Sequence, residues 1–227
     1  MNKTSILFLS KNRKDAFAEE ALAFVKQHFS NYEIALGTQG QDLPDVVRDC
    51  EADFIISYLS PWIIPQSVLK KAKIAAINFH PGPPEYPGTG CYNFAIYDAV
   101  AGYGVTCHHM TRAVDTGKII AVRRFPVFAS DSVHSIAKQS SAQMLVLFYE
   151  VMSNLLKGST LPASDETWKR KPYTKAEMYE LFRINPEMPE QEIQRRIKAS
   201  EYPGWPGAFI EVGGRRFYQN PISPIEK

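Results

Sequence analysis

Residues 74–90 read IAAINFHPGPPEYPGTG, and the change of character inside this stretch decides the fold. The first part, 74–79, is a short apolar run of the length and composition of a strand buried inside a sheet. The second part, from His80 to Gly90, holds four prolines and three glycines in eleven residues. Proline removes backbone donors and fixes φ, so this part can be neither a helix nor a central strand. A buried strand running straight into a rigid, irregular loop places the loop at the carboxyl edge of a sheet, where open α/β sheets bind their ligands.

Toward the N-terminus the same strand signature recurs at 5–10 (SILFLS), 32–37 and 53–59 (DFIISYL). Helical patterns separate these runs. The first sets Phe17, Ala21, Leu22, Phe24 and Val25 mostly on one face. The others span 43–50 and 65–71, the latter with Pro65 near its first turn. Four strands alternating with helices predict a parallel, helix-covered sheet. Beyond the quoted stretch the pattern predicts a helix over 92–100, then strands over 104–110 and 119–128 flanking the turn VDTG at 114–117. A long amphipathic helix over 131–157 follows. A polar stretch at 158–174, with Pro162 and Pro172, reads as a surface connector. A helix at 188–200 follows, with Ile193 and Ile197 on one face. Then comes AFIEV-GG-RRFYQ, where Gly213 and Gly214 supply the turn of a β-hairpin. The expected architecture is one α/β domain over 1–157, Rossmann-like with a mostly parallel sheet and flanking helices. An extension over 158–227 adds the connector, helix and hairpin.

The composition bounds the function. With 227 residues and plentiful aromatics the chain can bury a substantial core. A formal net charge of +2 gives no electrostatic footprint for nucleic acid. Cys50, Cys91 and Cys107 are odd in number and fit no CxxC spacing, so neither a disulfide framework nor a structural metal site is expected. The N-terminal apolar run is too short for a signal peptide, and no stretch has the length of a membrane span. The expectation is a cytoplasmic protein with no membrane and no nucleic-acid partner.

Three side chains stand out as chemistry. Asn78 and His80 are two apart at a strand end, so they leave on one face at the mouth of the proline-glycine loop. Asp115 sits in the VDTG turn. An amide that can donate to an oxyanion, an imidazole that moves protons near neutral pH and a carboxylate that supports it make an acyl-transfer set. Spacing alone leaves the structural alternative open, because a His at a strand end and an Asp before Gly are common for conformational reasons.

The segments INFHPGPPEYPGTG and VDTGKII resemble the two signature segments of the formyltetrahydrofolate-dependent formyltransferases. That family includes glycinamide ribonucleotide transformylase, methionyl-tRNA formyltransferase and the nucleotide-sugar N-formyltransferases. The family's catalytic Asn-x-His pair and Asp fall on Asn78, His80 and Asp115. The resemblance spans the whole predicted sheet domain. It implies N10-formyltetrahydrofolate as formyl donor, with no metal. Its pterin slot falls on Trp62, Ile63 and Ile64, one of the two isoleucines being a core residue, and on Thr111, Arg112 and Val114. The loop departs from many relatives: a basic residue is missing and Tyr86 and Pro87 stand in its neighbourhood. The departure bears on the acceptor.

The stretch after the first strand, SKNRKDAF, lacks the glycine-rich phosphate loop of the glycinamide ribonucleotide enzymes. The balanced charge and the chain length do not suit the barrel domain and basic linker of the tRNA enzymes. TWKRKPYTKAEMYEL, a helix and a hairpin resemble the short C-terminal piece of the nucleotide-sugar enzymes. The resemblance therefore implies an acceptor amine on a dTDP- or UDP-linked deoxy sugar of cell-surface glycans. Lys11 and Arg13 are expected at its diphosphate, at the start of the first helix, and Tyr86 and Tyr92 around its sugar and base. A methionyl-tRNA formyltransferase, or a hydrolase of the formyl donor with the same three residues, is the alternative. Relatives often dimerise through C-terminal elements, which makes a homodimer the expectation.

Overall fold

The computed structural model describes residues 2–12 and 15–220. One sheet carries β1 (Asn2–Lys11), β2 (Phe29–Gly37), β3 (Ala52–Tyr58), β4 (Ala72–His80), β5 (Gly102–His109) and β6 (Ile119–Pro126), in the order β2-β1-β3-β4-β5-β6. Pairings among β1 to β4 are parallel, and β4–β5 and β5–β6 are antiparallel. This is the expected mostly parallel α/β sheet, with an antiparallel edge formed by β5 and β6. The helices of this region are α1 (Ala16–His28), α2 (Asp45–Asp49), α3 (Gln66–Leu69), α4 (Cys91–Tyr97) and α5 (Val133–Leu156). Among the described residues no helix is long and apolar enough to cross a membrane.

Strand alternation feeds two cores. On one face Phe8, Ile56, Ile77 and Phe79 pack with Val25 of α1 and with Met144 and Phe148 of α5. On the other face Leu7, Leu9 and Ile55 pack with Val47 of α2 and with Val68 and Leu69 of α3. Burying each such side chain contributes about 1.5–3 kcal/mol. On this second face the apolar layer stops short. At the carboxyl ends of β3 and β4 it gives way to Ser57, Asn78 and His80, with Ser57 beside Asn78 in the β3–β4 register. Since β1 pairs with β2 on one side and β3 on the other, the strand order reverses between β1 and β3, next to these ends, where α/β sheets open a crevice.

Local chemistry sets the helix ends. Asp15 caps α1, accepting from the N–H groups of Phe17 and Ala18. Ser132 and Ser135 close a reciprocal cap on α5. The helix expected over 43–50 shrinks to Asp45–Asp49, because Pro44 is extended and serves as its N-cap.

The C-terminal part contributes α6 (Lys175–Phe182), α7 (Glu190–Ser200) and the hairpin β7 (Phe209–Val212) and β8 (Arg215–Tyr218). Helix α6 starts on the capping box Thr174–Glu177, a signal present in the sequence. Helix α7 docks on α4: Asn93 donates to the Ala199 carbonyl at 2.7 Å, and the Tyr97 hydroxyl donates to Glu192 at 2.8 Å. In the hairpin Phe209 is buried, whereas Val212 and Phe217 are more than half exposed.

Candidate active site

The antiparallel register of β4 and β5 sets Asn78 opposite His108 and His80 opposite Thr106. Period-2 alternation then turns Asn78, His80 and His108 to the face where the apolar layer ends. The ladder between β5 and β6 shifts between Cys107 and His108, and a bulge of this kind re-aims a side chain. The chain next loops through 110–118 and returns, with the His109 N–H donating to the Lys118 carbonyl at 2.9 Å. Gly117 presses against the His109 carbonyl, where no Cβ fits. This close approach swings Asp115 over the two imidazoles. Asp115 itself has φ of 47°, a left-handed conformation that costs a non-glycine residue about 1–2 kcal/mol. Strain of this kind persists where surrounding bonds fix it.

Those bonds are on the carboxylate, whose residue is only 4% exposed. One oxygen, Oδ2, lies 3.1 Å from His80 Nδ1 and accepts the Gly88 N–H at 2.8 Å. The other, Oδ1, lies 3.2 Å from His108 Nε2. Burial alone would raise the Asp115 carboxyl, but the charge of His80, the His108 contact and the Gly88 N–H outweigh it and hold the carboxyl well below the usual carboxylate range. His80 Nε2 lies 3.0 Å from the Tyr86 carbonyl, which can only accept. Both ring nitrogens of His80 thus face acceptors, and a doubly protonated ring satisfies both. His108 Nδ1 donates to the His109 carbonyl at 2.9 Å. Its Nε2 is shared between the Asn78 amide at 3.1 Å and Asp115.

The sequence-predicted set of Asn78, His80 and Asp115 is therefore one cluster, joined by His108, which sequence reasoning passed over. The Cys-His-His run at 107–109 reads as ordinary strand. Only the antiparallel β4–β5 register, a long-range property, shows that His108 rather than His109 shares the face of Asn78.

The cluster opens on a cavity of about 350 Å³. Its walls bring together Trp62, Ile63 and Ile64 after β3 with Thr111, Arg112 and Val114 ahead of Asp115. Ile63 is 73% exposed and Ile64 is buried, so one of the two isoleucines is a core residue. Trp62 donates its indole N–H to the Gln41 carbonyl at 2.9 Å, and its ring fills the space a side chain at Gly37 would take.

The expected acceptor contacts divide. Lys11 lines this cavity and a neighbouring one. It is the last residue of β1, however, and not the start of a helix. The first-turn N–H groups of α1 are already capped by Asp15, so the helix dipole is not open to a diphosphate. Arg13 lies outside the described residues. Tyr86 is a correction: it is 7% exposed, stacks on Tyr173, packs at a tilt against Tyr103, and donates its hydroxyl to Asp98 at 2.8 Å. Tyr92 packs against Tyr103 at the edge of the core and does not line the cavity. Tyr86 is carried into the core by a turn in which its N–H donates to the Pro83 carbonyl at 2.9 Å, and Tyr92, half-buried on α4, lies off the cavity wall. Burial pushes the Cys91 thiol up to about 12 and raises Cys107 as well, so neither is a nucleophile near neutral pH.

Comparison with known proteins gives the same assignment. Over 169 residues the chain is 29% identical to a GDP-perosamine N-formyltransferase of Brucella melitensis, covering 74% of this chain and 64% of that one. It is 27% identical to a methionyl-tRNA formyltransferase of Lactobacillus johnsonii over 214 residues, 93% of this chain and 66% of that one. The chain thus spans just under two thirds of the length of these relatives. Among solved structures, WlaRD, a sugar 3N-formyltransferase studied with dTDP and 5-N-formyl-tetrahydrofolate, superposes with a TM-score of 0.73 at 17% identity. That match covers 95% of this chain and 85% of the other, and it shows a shared fold. The sequence profile described as formyl transferase matches residues 6–152, which carry the sheet from Ile6 onward and the Asn78–His80–Asp115 cluster. The chain belongs to the formyl transferase family.

Proposed function

We propose that this protein is an N-formyltransferase that moves a formyl group from N10-formyltetrahydrofolate to the primary amine of a nucleotide-linked amino-deoxy sugar. One observation carries the reading: the Asn-His-His-Asp cluster forms the end of a cavity lined by the apolar segment 62–64 and by the turn 111–114. A flat pterin edge needs such an apolar slot together with backbone hydrogen bonds. Trp62, Ile63 and Ile64 would hold it from one side, and Thr111, Arg112 and Val114 from the other. The donor supplies the activated formyl carbon and a leaving nitrogen.

The chain's own residues handle charge and protons. The acceptor amine attacks in its neutral form, and the formyl oxygen becomes an oxyanion. The Asn78 side-chain amide donates an N–H to the oxyanion. The His80 Nε2–H serves it as well by leaving or sharing the Tyr86 carbonyl, a rearrangement of the kind that substrate binding drives. As the new C–N bond forms and the bond from the formyl carbon to N10 breaks, the proton lost by the amine reaches N10. Asp115, anionic and held between two imidazoles, is the relay, directly or through water.

A sugar acceptor is supported by the Brucella relative's described substrate and by the near-balanced charge. Lys11, at the cavity wall, is the cation for the diphosphate. The similarity to a methionyl-tRNA enzyme over 93% of this chain supports the runner-up, formylation of charged initiator tRNA. We also propose a homodimer that covers Val212 and Phe217; light scattering showing a monomer at high concentration refutes it. The test of the acceptor is mass analysis of products from labelled N10-formyltetrahydrofolate with amino sugars on dTDP, UDP and GDP. The label is expected on one sugar amine, and label on methionyl-tRNA alone contradicts the reading.

A further inference from the structure

The segment 158–174 reads in the sequence as a surface connector, yet it reaches the catalytic cluster. Trp168 places its ring centroid 5.1 Å from that of His108 and 6.0 Å from that of His80, near perpendicular to both. Its indole N–H donates to the Gly117 carbonyl at 2.7 Å, in the same turn that carries Asp115. Trp168 does not line the cavity, so it meets the imidazoles from a side that substrate does not use. The neighbours of Trp168 fasten the proline-glycine loop. Lys169 donates its N–H to the Pro84 carbonyl at 3.0 Å, Tyr173 to Pro87 at 2.9 Å, and Thr89 donates back to Tyr173 at 2.9 Å. Gly88, whose N–H holds Asp115, has φ of 87° and lies so close to the Tyr173 backbone that a Cβ would not fit. Tyr173 in turn stacks on Phe94 of α4 at 3.6 Å. All these fastening residues of the segment lie beyond 152, where the match to the family profile ends.

We infer that Trp168 is a positioning residue for formyl transfer: it walls the His80–Asp115–His108 cluster from water and ties the Asp115 turn to the proline-glycine loop. The inference rests on that cluster being the transfer site. Two physical effects follow. An apolar wall keeps the local dielectric low, so the His80–Asp115 contact stays strong. The indole hydrogen bond fixes the turn, and with it the left-handed conformation that aims the Asp115 carboxylate. A misplacement of about 1 Å at such a site costs up to about a hundredfold in rate.

The experiment compares Trp168→Ala, Trp168→Phe and His80→Ala in the full chain. Steady-state kinetics with N10-formyltetrahydrofolate and the active amino-sugar nucleotide are paired with proton NMR of the downfield imidazole N–H region. In the wild type, a His80 N–H bonded to Asp115 should be protected from exchange with water, and His80→Ala identifies it by its loss. Trp168→Ala should lower kcat about tenfold to a hundredfold, with KM for both substrates within about twofold, and should bring that N–H into fast exchange. Trp168→Phe keeps an aromatic wall without the indole N–H, so it should recover most of the protection and part of the turnover. Wild-type turnover in Trp168→Ala overturns the inference. So does a loss of turnover with the N–H still protected, or a wild type with no protected N–H. If His80→Ala turns over normally, the cluster is not the transfer site and the positioning role falls with it. If His80→Ala is inactive while Trp168→Ala is normal, only the positioning role falls.

Discussion

Replacing Asp115 with Asn removes one negative charge and almost nothing else. Asn is among the residues that tolerate the left-handed region, so the φ of 47° at this position adds no new strain. The amide oxygen can take the place of Oδ2, accepting from Gly88 as the carboxylate does at 2.8 Å and facing His80 Nδ1. The amide nitrogen then faces His108 Nε2. The fold and the contacts survive, but the anion that takes and passes the proton is gone. General acid-base work of this kind contributes about 10²–10⁴ in rate. A loss of that size raises the barrier by roughly 3–5 kcal/mol. The assay is tetrahydrofolate release at saturating donor and acceptor, with kcat and both KM values measured. We expect the loss in kcat, with donor KM little changed. Turnover close to wild type in a folded Asp115→Asn protein refutes the relay. A stability measurement checks the electrostatics separately. The Asp115 carboxyl is depressed in the folded state, so it contributes stability above the unfolded value of about 3.9, lost as pH falls through the folded value. The stability gap between wild type and Asp115→Asn should narrow as pH falls below about 4 and the carboxylate takes up its proton. A gap that does not narrow in that range contradicts the assignment.

Three further outcomes are expected. Gly37→Ala puts a methyl where the Trp62 indole sits, so it should displace the ring and raise KM for the formyl donor while leaving the sugar KM alone; a change in the sugar KM only would place the donor elsewhere. Tyr86→Phe should cost about 1 kcal/mol on thermal or chemical denaturation, through the lost bond to Asp98, and leave both KM values unchanged. A selective rise in the sugar KM would return Tyr86 to the acceptor site. Lys11→Ala should raise KM for the sugar nucleotide strongly and leave donor affinity unchanged; equal binding of the nucleotide by the variant removes Lys11 from the diphosphate.

The sheet was legible because its strands announce themselves locally. The apolar runs at 5–10 and 53–59 can only be buried, and the proline-glycine loop after His80 can only be an edge. Asn78, His80 and Asp115 stood out as polar groups at a strand end and in a turn, but that placement left a structural role open; the resemblance of INFHPGPPEYPGTG and VDTGKII to the formyltransferase signatures is what assigned them as a set. What the sequence hid depends on pairing between distant segments. His108 joins the cluster through the antiparallel β4–β5 register, and no local pattern distinguishes it from His109. Trp168 sits in a polar stretch that looks solvated, and its partners Gly117, His80 and His108 lie far away in sequence. Tyr86 misled because a tyrosine in a loop suggests recognition, while the turn closed on the Pro83 carbonyl carries the ring into the core. Asp15 was also missed, and its cap removes the helix terminus that Lys11 and Arg13 were expected to occupy.

The most direct measurement is the rate of tetrahydrofolate formation from N10-formyltetrahydrofolate, with and without an amino-sugar nucleotide, in wild type and His80→Ala. Rapid release is expected only when the sugar amine is present, with one formamide formed per tetrahydrofolate, and none in His80→Ala. Release at the same rate without any acceptor, yielding formate, would contradict formyl transfer and make the protein a hydrolase.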